Sequence, residues 1–423
     1  MQKIFTGIAT ALLLTSTAQA ETIVIHAGRL ITDAALPAAG PSSITVIDGR
    51  IVSIETGLKR VGDGTRLIDL STKTVLPGLI DSHVHLSSDP GGDYRNEAVD
   101  PDEWSVIVGA KNARITALAG FTTVRDLGSA PLVGFVLRDG TAKGLIPGPR
   151  ILSAGTAISI IGGHGDVSGF RPEVNAALDG NNTCTGPAQC AARVREASNR
   201  GADVIKITAT GGVLSQQGRG LGQHFTDEEM SAIVTTAHGL GLKVAAHAHG
   251  ARGIEGAAKA GVDSIEHGTF ADGAGLKIMK ANGSYMVPTL MAFTGIRERL
   301  GKNIYTPTVE AKVRETLKSV GLALKAAREQ GVPIAFGTDS GVFEHGRNAQ
   351  EFAQMVELGG LTPAQAIATA TTGAAKLLGL ENEVGRIAIG YSADIIGVTG
   401  DPVANVRILE KVGFVMVRGR VIE

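Results

Sequence analysis

"LIDSHVHL", residues 79–86, is an apolar run that follows Pro77-Gly78 and ends in two histidines one residue apart. The chain has only ten histidines in 423 residues, so a pair at the end of a predicted buried strand needs a reason. On a strand, residues i and i+2 share a face. His83 and His85 therefore point the same way, into the fold if Val84 points out. Alone, such a pair suits core histidines with a single hydrogen bond at least as well as metal ligands.

Outward from this run, short β-rich stretches alternate with helical ones. The candidate strands are "LIDSHVHL", "FTTVRDL", "RILSAG", "VIKITAT", "KVAAHAH", "VDSIEHG", "YMVPTLM" and "PIAFGTD". Between most of them lie helical patterns such as "ARITALAG", "DEEMSAIVTTAHGLG", "ARGIEGAAKAG" and "VRETLKSVGLALKAAREQG". Thr226 with Glu229, and Thr362 with Gln365 after Pro363, have the spacing of capping boxes. Eight strand–helix units over 77–385 predict an α/β fold of the (β/α)8 TIM-barrel type, with chemistry at the C-terminal ends of its strands. A doubly wound sheet is the alternative, but no GxGxxG follows an early strand. Residues 21–76 and 386–423 read as short strands with turns such as Asp48-Gly49, predicting a small β-sandwich domain built from both chain ends.

Residues 1–20 combine Lys3, the apolar "IFTGIATALLL" and the small-x-small site "AQA", the pattern of a signal peptide cleaved after Ala20. The alternative, an anchor, needs a run of about 20 apolar residues. The expected protein is exported, periplasmic or secreted, and free of the membrane once cleaved. Forty basic and 41 acidic residues give a net charge of −1 with no basic block, which argues against a nucleic-acid partner. Cys184 and Cys190 in "CTGPAQC" fit a disulfide in an oxidising compartment. A soft-metal site there would lack a histidine within the loop.

Further polar residues fall at matching places. Lys206 lies in the fourth strand, His247 in the fifth, His267 ends the sixth and Asp339 ends the eighth. Each alone fits a hydrogen-bonded core residue. As a set, the histidines and the carboxylate suit zinc or a similar divalent ion. Lys206 is costly to bury as an ammonium. A neutral amine can instead take up carbon dioxide, giving a carbamate whose oxygens reach two metals ~3.5–4 Å apart. An ordinary lysine paired with Asp339 is the competing reading.

These motifs resemble the amidohydrolase superfamily, in its imidazolonepropionase-like and Xaa-Pro-dipeptidase-like branch, which includes secreted enzymes that hydrolyse ochratoxin. The resemblance runs from "LPGLIDSHVHL" through "GFTTVRDLG", "GGHGD", "IKITATGGVLS", "AAHAHG", "SIEHGT" and "AFGTDSG" to "TTGAAKLLGLENEVGRIAIGYSADIIGV". It implies that His83 and His85 bind the more buried of two divalent metals, zinc first among the candidates, with manganese and cobalt also tolerated. It implies a bridging carbamate on Lys206, with His247 and His267 on the second metal. Asp339 would ligate the first metal and carry the proton, as general base and then general acid.

By the same resemblance, His164 in "GGHGD" contacts a substrate carboxylate. His249 stands where many dipeptidase relatives carry a tyrosine that polarises the scissile carbonyl, which puts strict Xaa-Pro specificity in doubt. Ser88 is a candidate to line the same pocket, and the glycine-rich loop 211–225 to cover it. His224 and Arg219 in that loop are expected to be solvated, and His26, His238 and His345 receive no role. The resemblance also implies a symmetric homo-oligomer.

The expected partner is a small amide or peptide with a free carboxylate. Two further readings stay open: a one-metal deaminase or imidazolone-type hydrolase, which usually lacks the strand-four lysine, and a non-catalytic binding or assembly relative, which loses metal ligands.

Overall fold

The computed structural model describes residues 21–91, 98–215 and 220–423. The predicted signal stretch and Arg219 lie outside the described residues. Four strands open the chain: β1 (Thr22–Leu30), β2 (Ser42–Ile47), β3 (Arg50–Thr56) and β4 (Arg66–Pro77). β1 alternates buried and partly exposed positions, as a sheet with one covered face requires. Asp48 and Gly49 join β2 to β3 with φ of +49° and +74°, the backbone of a two-residue hairpin turn.

The barrel follows. Its strands are β5 (Leu79–Val84), β6 (Phe121–Asp126), β7 (Arg150–Ser153), β8 (Val204–Thr208), β9 (Lys243–Ala248), β10 (Ser264–His267) and β11 (Tyr285–Val287). Every residue of β5, β6 and β8 is buried, as expected for parallel strands covered on both faces. β5-β6-β7 and β8-β9-β10-β11 are parallel ladders, and a bridge from Ile158 to Ile207 joins them.

The eighth position is filled by residues 333–340, as an extended segment without a regular ladder. Ala335 N–H donates to the Met286 carbonyl (3.0 Å), Ser82 N–H to Phe336 (2.9 Å) and Asp339 N–H to His83 (2.7 Å). Pro333 has no N–H to give, and Asp339 has a left-handed backbone, φ +62°. Both interrupt the pairing expected for "PIAFGTD". Gly337 is needed here, because a Cβ would collide with Val287 and press on His83.

Thirteen helices surround these strands among the described residues: α1 (Asp102–Leu118), α2 (Val133–Ala142), α3 (Pro172–Ala177), α4 (Pro187–Arg200), α5 (Asp227–Gly239), α6 (Ala251–Ala260), α7 (Gly273–Asn282), α8 (Leu290–Arg299), α9 (Pro307–Thr316), α10 (Leu322–Gln330), α11 (Gln350–Glu357), α12 (Pro363–Ala368) and α13 (Ala374–Leu378). Both capping boxes form: Thr226 with Glu229 starts α5, and Thr362 with Gln365 starts α12. The helical run at 313–331 is split, because Gly321 takes φ +84° between α9 and α10. No described helix is long and apolar enough to cross a membrane. Cys184 and Cys190 form a disulfide just before and within α4, and both are buried.

β12 (Ile395–Val398), β13 (Val412–Val417) and β14 (Arg420–Val421) end the chain. β12 pairs antiparallel with β4 and completes a seven-stranded sheet, β14-β13-β12-β4-β1-β2-β3. Ile25, Ile44 and Ile51 from one side of that sheet pack in one apolar cluster with Ile395 and Met416 from the other, so the sheet folds across itself. A second cluster runs from Ile396 and Val415 into Leu79, Phe121 and Phe352, fastening the sheet to the barrel. Burying each such side chain is worth roughly 1.5–3 kcal/mol. The strand ends are therefore rigid supports.

Candidate metal centre and active site

The strand ends of one rim carry the chemistry. His83 lies near the end of β5 and His85 just past it, Lys206 lies within β8, His247 within β9, and His267 closes β10. Asp339 comes from the irregular eighth segment. All six meet. The His83 ring is 5.3 Å from that of His85 and 5.1 Å from that of His267, centroid to centroid, and His247 is 4.6 Å from His267. Lys206 Nζ is 3.3 Å from His83 Nε2. Asp339 Oδ1 is 3.4 Å from His83 Nε2 and 3.2 Å from His85 Nε2.

Two donor sets result. One is His83, His85 and Asp339, and the other is His247, His249 and His267, with donor atoms in each set within 4.8 Å of one another. Most of these rings are anchored by one nitrogen, which leaves the other for the centre. His83 Nδ1–H donates to Glu266 (2.9 Å) and His85 Nδ1–H to the Gly128 carbonyl (2.9 Å). His249 Nδ1 pairs with the Thr269 hydroxyl (2.8 Å) and His267 Nδ1 with that of Thr289 (2.7 Å). Such outer partners fix the ring and tautomer of a metal-binding histidine.

Ligation needs neutral imidazoles, and burial secures that form at every ring of the two sets but His85. Burial pushes His83 down to about 4, with Lys206 adding to it, and drives His247 and His267 well below the ordinary histidine range. Burial lowers His85 too, but its hydrogen bond to Asp339 and the negative charge of Asp339 and Asp126 together raise it. Burial would raise Asp339, yet His83 and His85 hold its carboxyl far below the usual carboxylate range. Lys206 is lowered by burial to about 8, against the pull of Glu266 and Asp339. Imidazole nitrogens and a carboxylate are the donors that zinc-like ions prefer, so these residues fit divalent metal.

The backbone is strained at the same rim. His267, Thr289 and Asp339 have φ of +66°, +49° and +62°, and each follows or ends a strand position of the barrel. Left-handed non-glycine residues of this kind collect at functional sites.

A model of the amidohydrolase family matches residues 74–422. The chain belongs to the amidohydrolase family. Ochratoxinase of Aspergillus niger is 31% identical over 426 residues, covering 95% of this chain and 86% of its own. The crystal structure of a Xaa-Pro dipeptidase with bound methionine in its active site is 39% identical, with a TM-score of 0.87 over 95% of this chain and 100% of that one. A prolidase complexed with N-methylphosphonate-L-proline is 29% identical, with a TM-score of 0.86 over 95% and 99% of the two chains. This amidohydrolase is thus a metal-dependent enzyme acting on C–N bonds, with a TIM barrel and a sheet from both chain ends.

The residues expected to touch substrate lie around the same centre. The His164 ring sits 4.2 Å from that of His247, and the Ser215 hydroxyl is 2.6 Å from its Nδ1. Gly212 makes room for it, because a Cβ there would strike the His164 ring. His249, expected to polarise a carbonyl, also stands within the three-histidine donor set. Ser88 is exposed at the rim, and its carbonyl accepts from His345 Nε2–H (3.1 Å).

Other expectations shift. His345 has firm partners, the Ser88 carbonyl and the Thr116 hydroxyl. His224 is half-buried rather than solvated, its N–H donating to the Ala209 carbonyl. Arg125 and Glu266, absent from the sequence reading of the site, form a buried pair directly beneath His83. The signal was the one that exposed Lys206: a charge inside an apolar strand.

Proposed function

We propose that this amidohydrolase is a two-metal hydrolase of small substrates with a free carboxylate: dipeptides, N-acyl amino acids and ochratoxin-like amides. The observation that carries the reading is Lys206, whose amine lies 3.3 Å from a ligand nitrogen of His83 while its charge also bears on His247 and His267. An ammonium repels cations. A lysine among two ligand sets fits metal only once its charge is inverted. With the ammonium lowered to about 8, part of Lys206 is a neutral amine at ordinary pH. Such an amine would take up carbon dioxide with loss of one proton to solvent, and the carbamate would replace the ammonium's positive charge with a negative one and offer two oxygens as further donors.

Bound divalent ions, most simply zinc, would supply an acidified water and polarise the scissile carbonyl. Asp339 accepts the water proton and delivers it to the leaving nitrogen. With His247 and His267 left to hold the second ion, His249, anchored through Nδ1 on the Thr269 hydroxyl, would present its Nε2 side to the carbonyl oxygen. With the Ser215 hydroxyl, 2.6 Å away, donating to His164 Nδ1, the His164 Nε2–H would face a substrate carboxylate. The ochratoxinase and dipeptidase relatives support amide substrates of this kind.

The predicted signal stretch and the Cys184–Cys190 disulfide support an exported enzyme, periplasmic or secreted, acting away from membrane and nucleic acid. The resemblance supports a homo-oligomer. The test is turnover of N-acyl amino acids, dipeptides and ochratoxin against their C-terminal amides. The free acids should be hydrolysed, and amidation should cut kcat/KM by roughly tenfold or more. No turnover of any acid, or equal turnover of acid and amide, would contradict the reading.

A further inference from the structure

We propose that Glu266, backed by Arg125, is a positioning residue that selects the tautomer of His83 and so sets the affinity of the metal site on the His83 side. The inference rests on the two-metal reading above and deepens it.

Glu266 and Arg125 are almost fully buried, at 0% and 1% exposure. Each contact of the Glu266 carboxylate brings it a donor. Oε1 accepts from Arg125 Nη2–H (2.9 Å) and from the Ser264 hydroxyl, and Oε2 faces His83 Nδ1 at 2.9 Å. An ionised carboxylate accepts only. The His83 proton is therefore held on Nδ1, and the Nε2 lone pair is aimed at Lys206 and Asp339, where metal would bind.

Arg125 does more than balance charge. Its Nε–H donates to the Ser82 carbonyl (2.6 Å), the residue before His83, and its Nη1–H to Ser264 (3.1 Å). The group thus ties β5, β6 and β10 together under one ligand. A buried ion pair is a poor way to gain stability alone, since apolar side chains of similar volume often serve as well or better. Its place directly under a ligand ring gives it a second use.

Glu266→Gln tests this. An amide can offer either its oxygen or its N–H to Nδ1, so the variant no longer selects the tautomer. The probe is zinc, titrated into metal-stripped full-length protein against a competing chelator. Wild type should bind two ions. The variant should bind one of them about 10–100-fold more weakly, with the other unchanged, and the ¹⁵N spectrum of its histidines should show a mixed tautomer.

The Arg125→Met/Glu266→Gln double variant removes the unpaired guanidinium. It should fold with wild-type circular dichroism and keep the zinc defect. Restored affinity in the double variant, or wild-type affinity in a folded Glu266→Gln, would overturn the positioning role alone. A wild type that takes up fewer than two zinc ions would overturn the two-metal reading, and this inference with it.

Discussion

Thr289 Oγ1 lies 2.7 Å from His267 Nδ1, and both residues have left-handed backbones. Strain of this kind costs roughly 1–3 kcal/mol per residue and persists only where the surroundings enforce it. Thr289 stands at the N-cap of α8, where its hydroxyl would ordinarily accept from the helix. It makes no such bond. Its oxygen is committed to the histidine instead.

Thr289→Val keeps the shape and removes the hydroxyl. His267 then loses its anchor. The expected result is a folded protein with kcat/KM lower by about 10–100-fold, read from steady-state kinetics beside a thermal melt. Wild-type kinetics in the variant would show that the hydroxyl positions nothing.

The free end of α8 is capped from a distance. Glu351 on α11 accepts from Leu290 N–H (2.8 Å) and Met291 N–H (2.6 Å). In Glu351→Gln an amide N–H2 faces one of these donors, where even a protonated carboxyl still offers its hydroxyl oxygen, so stability at about pH 5 should fall by about 1–3 kcal/mol in urea unfolding.

The same residue predicts a pH dependence. Burial raises Glu351 to about 8, with its two N–H donors opposing. The native state then binds its proton more tightly than the unfolded chain, so the stability that Glu351 contributes is complete below the ordinary glutamate range and is lost as pH rises toward 8. Urea midpoints of wild type should decline over that window more steeply than those of Glu351→Gln. Parallel profiles would contradict this.

Lys206→Ala should abolish hydrolysis, and added short carboxylic acids should restore part of it by standing in for the carbamate. Activity assays with and without acetate or propionate check this. Full activity in the unrescued variant would remove the bridging role.

His164→Ala should raise the Michaelis constant for carboxylate substrates with less effect on kcat, because a binding contact is lost and no proton carrier. An unchanged Michaelis constant would remove His164 from the substrate site.

Much of this centre was readable in the chain because its residues break local rules. His83, His267 and Asp339 are polar ends of apolar runs, and Lys206 is a charge inside one. Arg125 in "FTTVRDL" and Glu266 in "SIEHG" break the same rule, so their presence in the interior was legible too. Their pairing was not. They lie 141 positions apart, and no local pattern states which strand ends face each other. His249 was harder still, because past the strand end alternation no longer fixes which way a side chain turns. The eighth strand kept its place and lost its ladder, for reasons visible in Pro333 and hidden in the backbone of Asp339.

Two sets of side chains, with Lys206 between them, should each hold a cation. Elemental analysis of the purified full-length protein counts those cations. About two divalent ions per chain are expected, and fewer in Lys206→Ala. One ion per chain, or none, would contradict this.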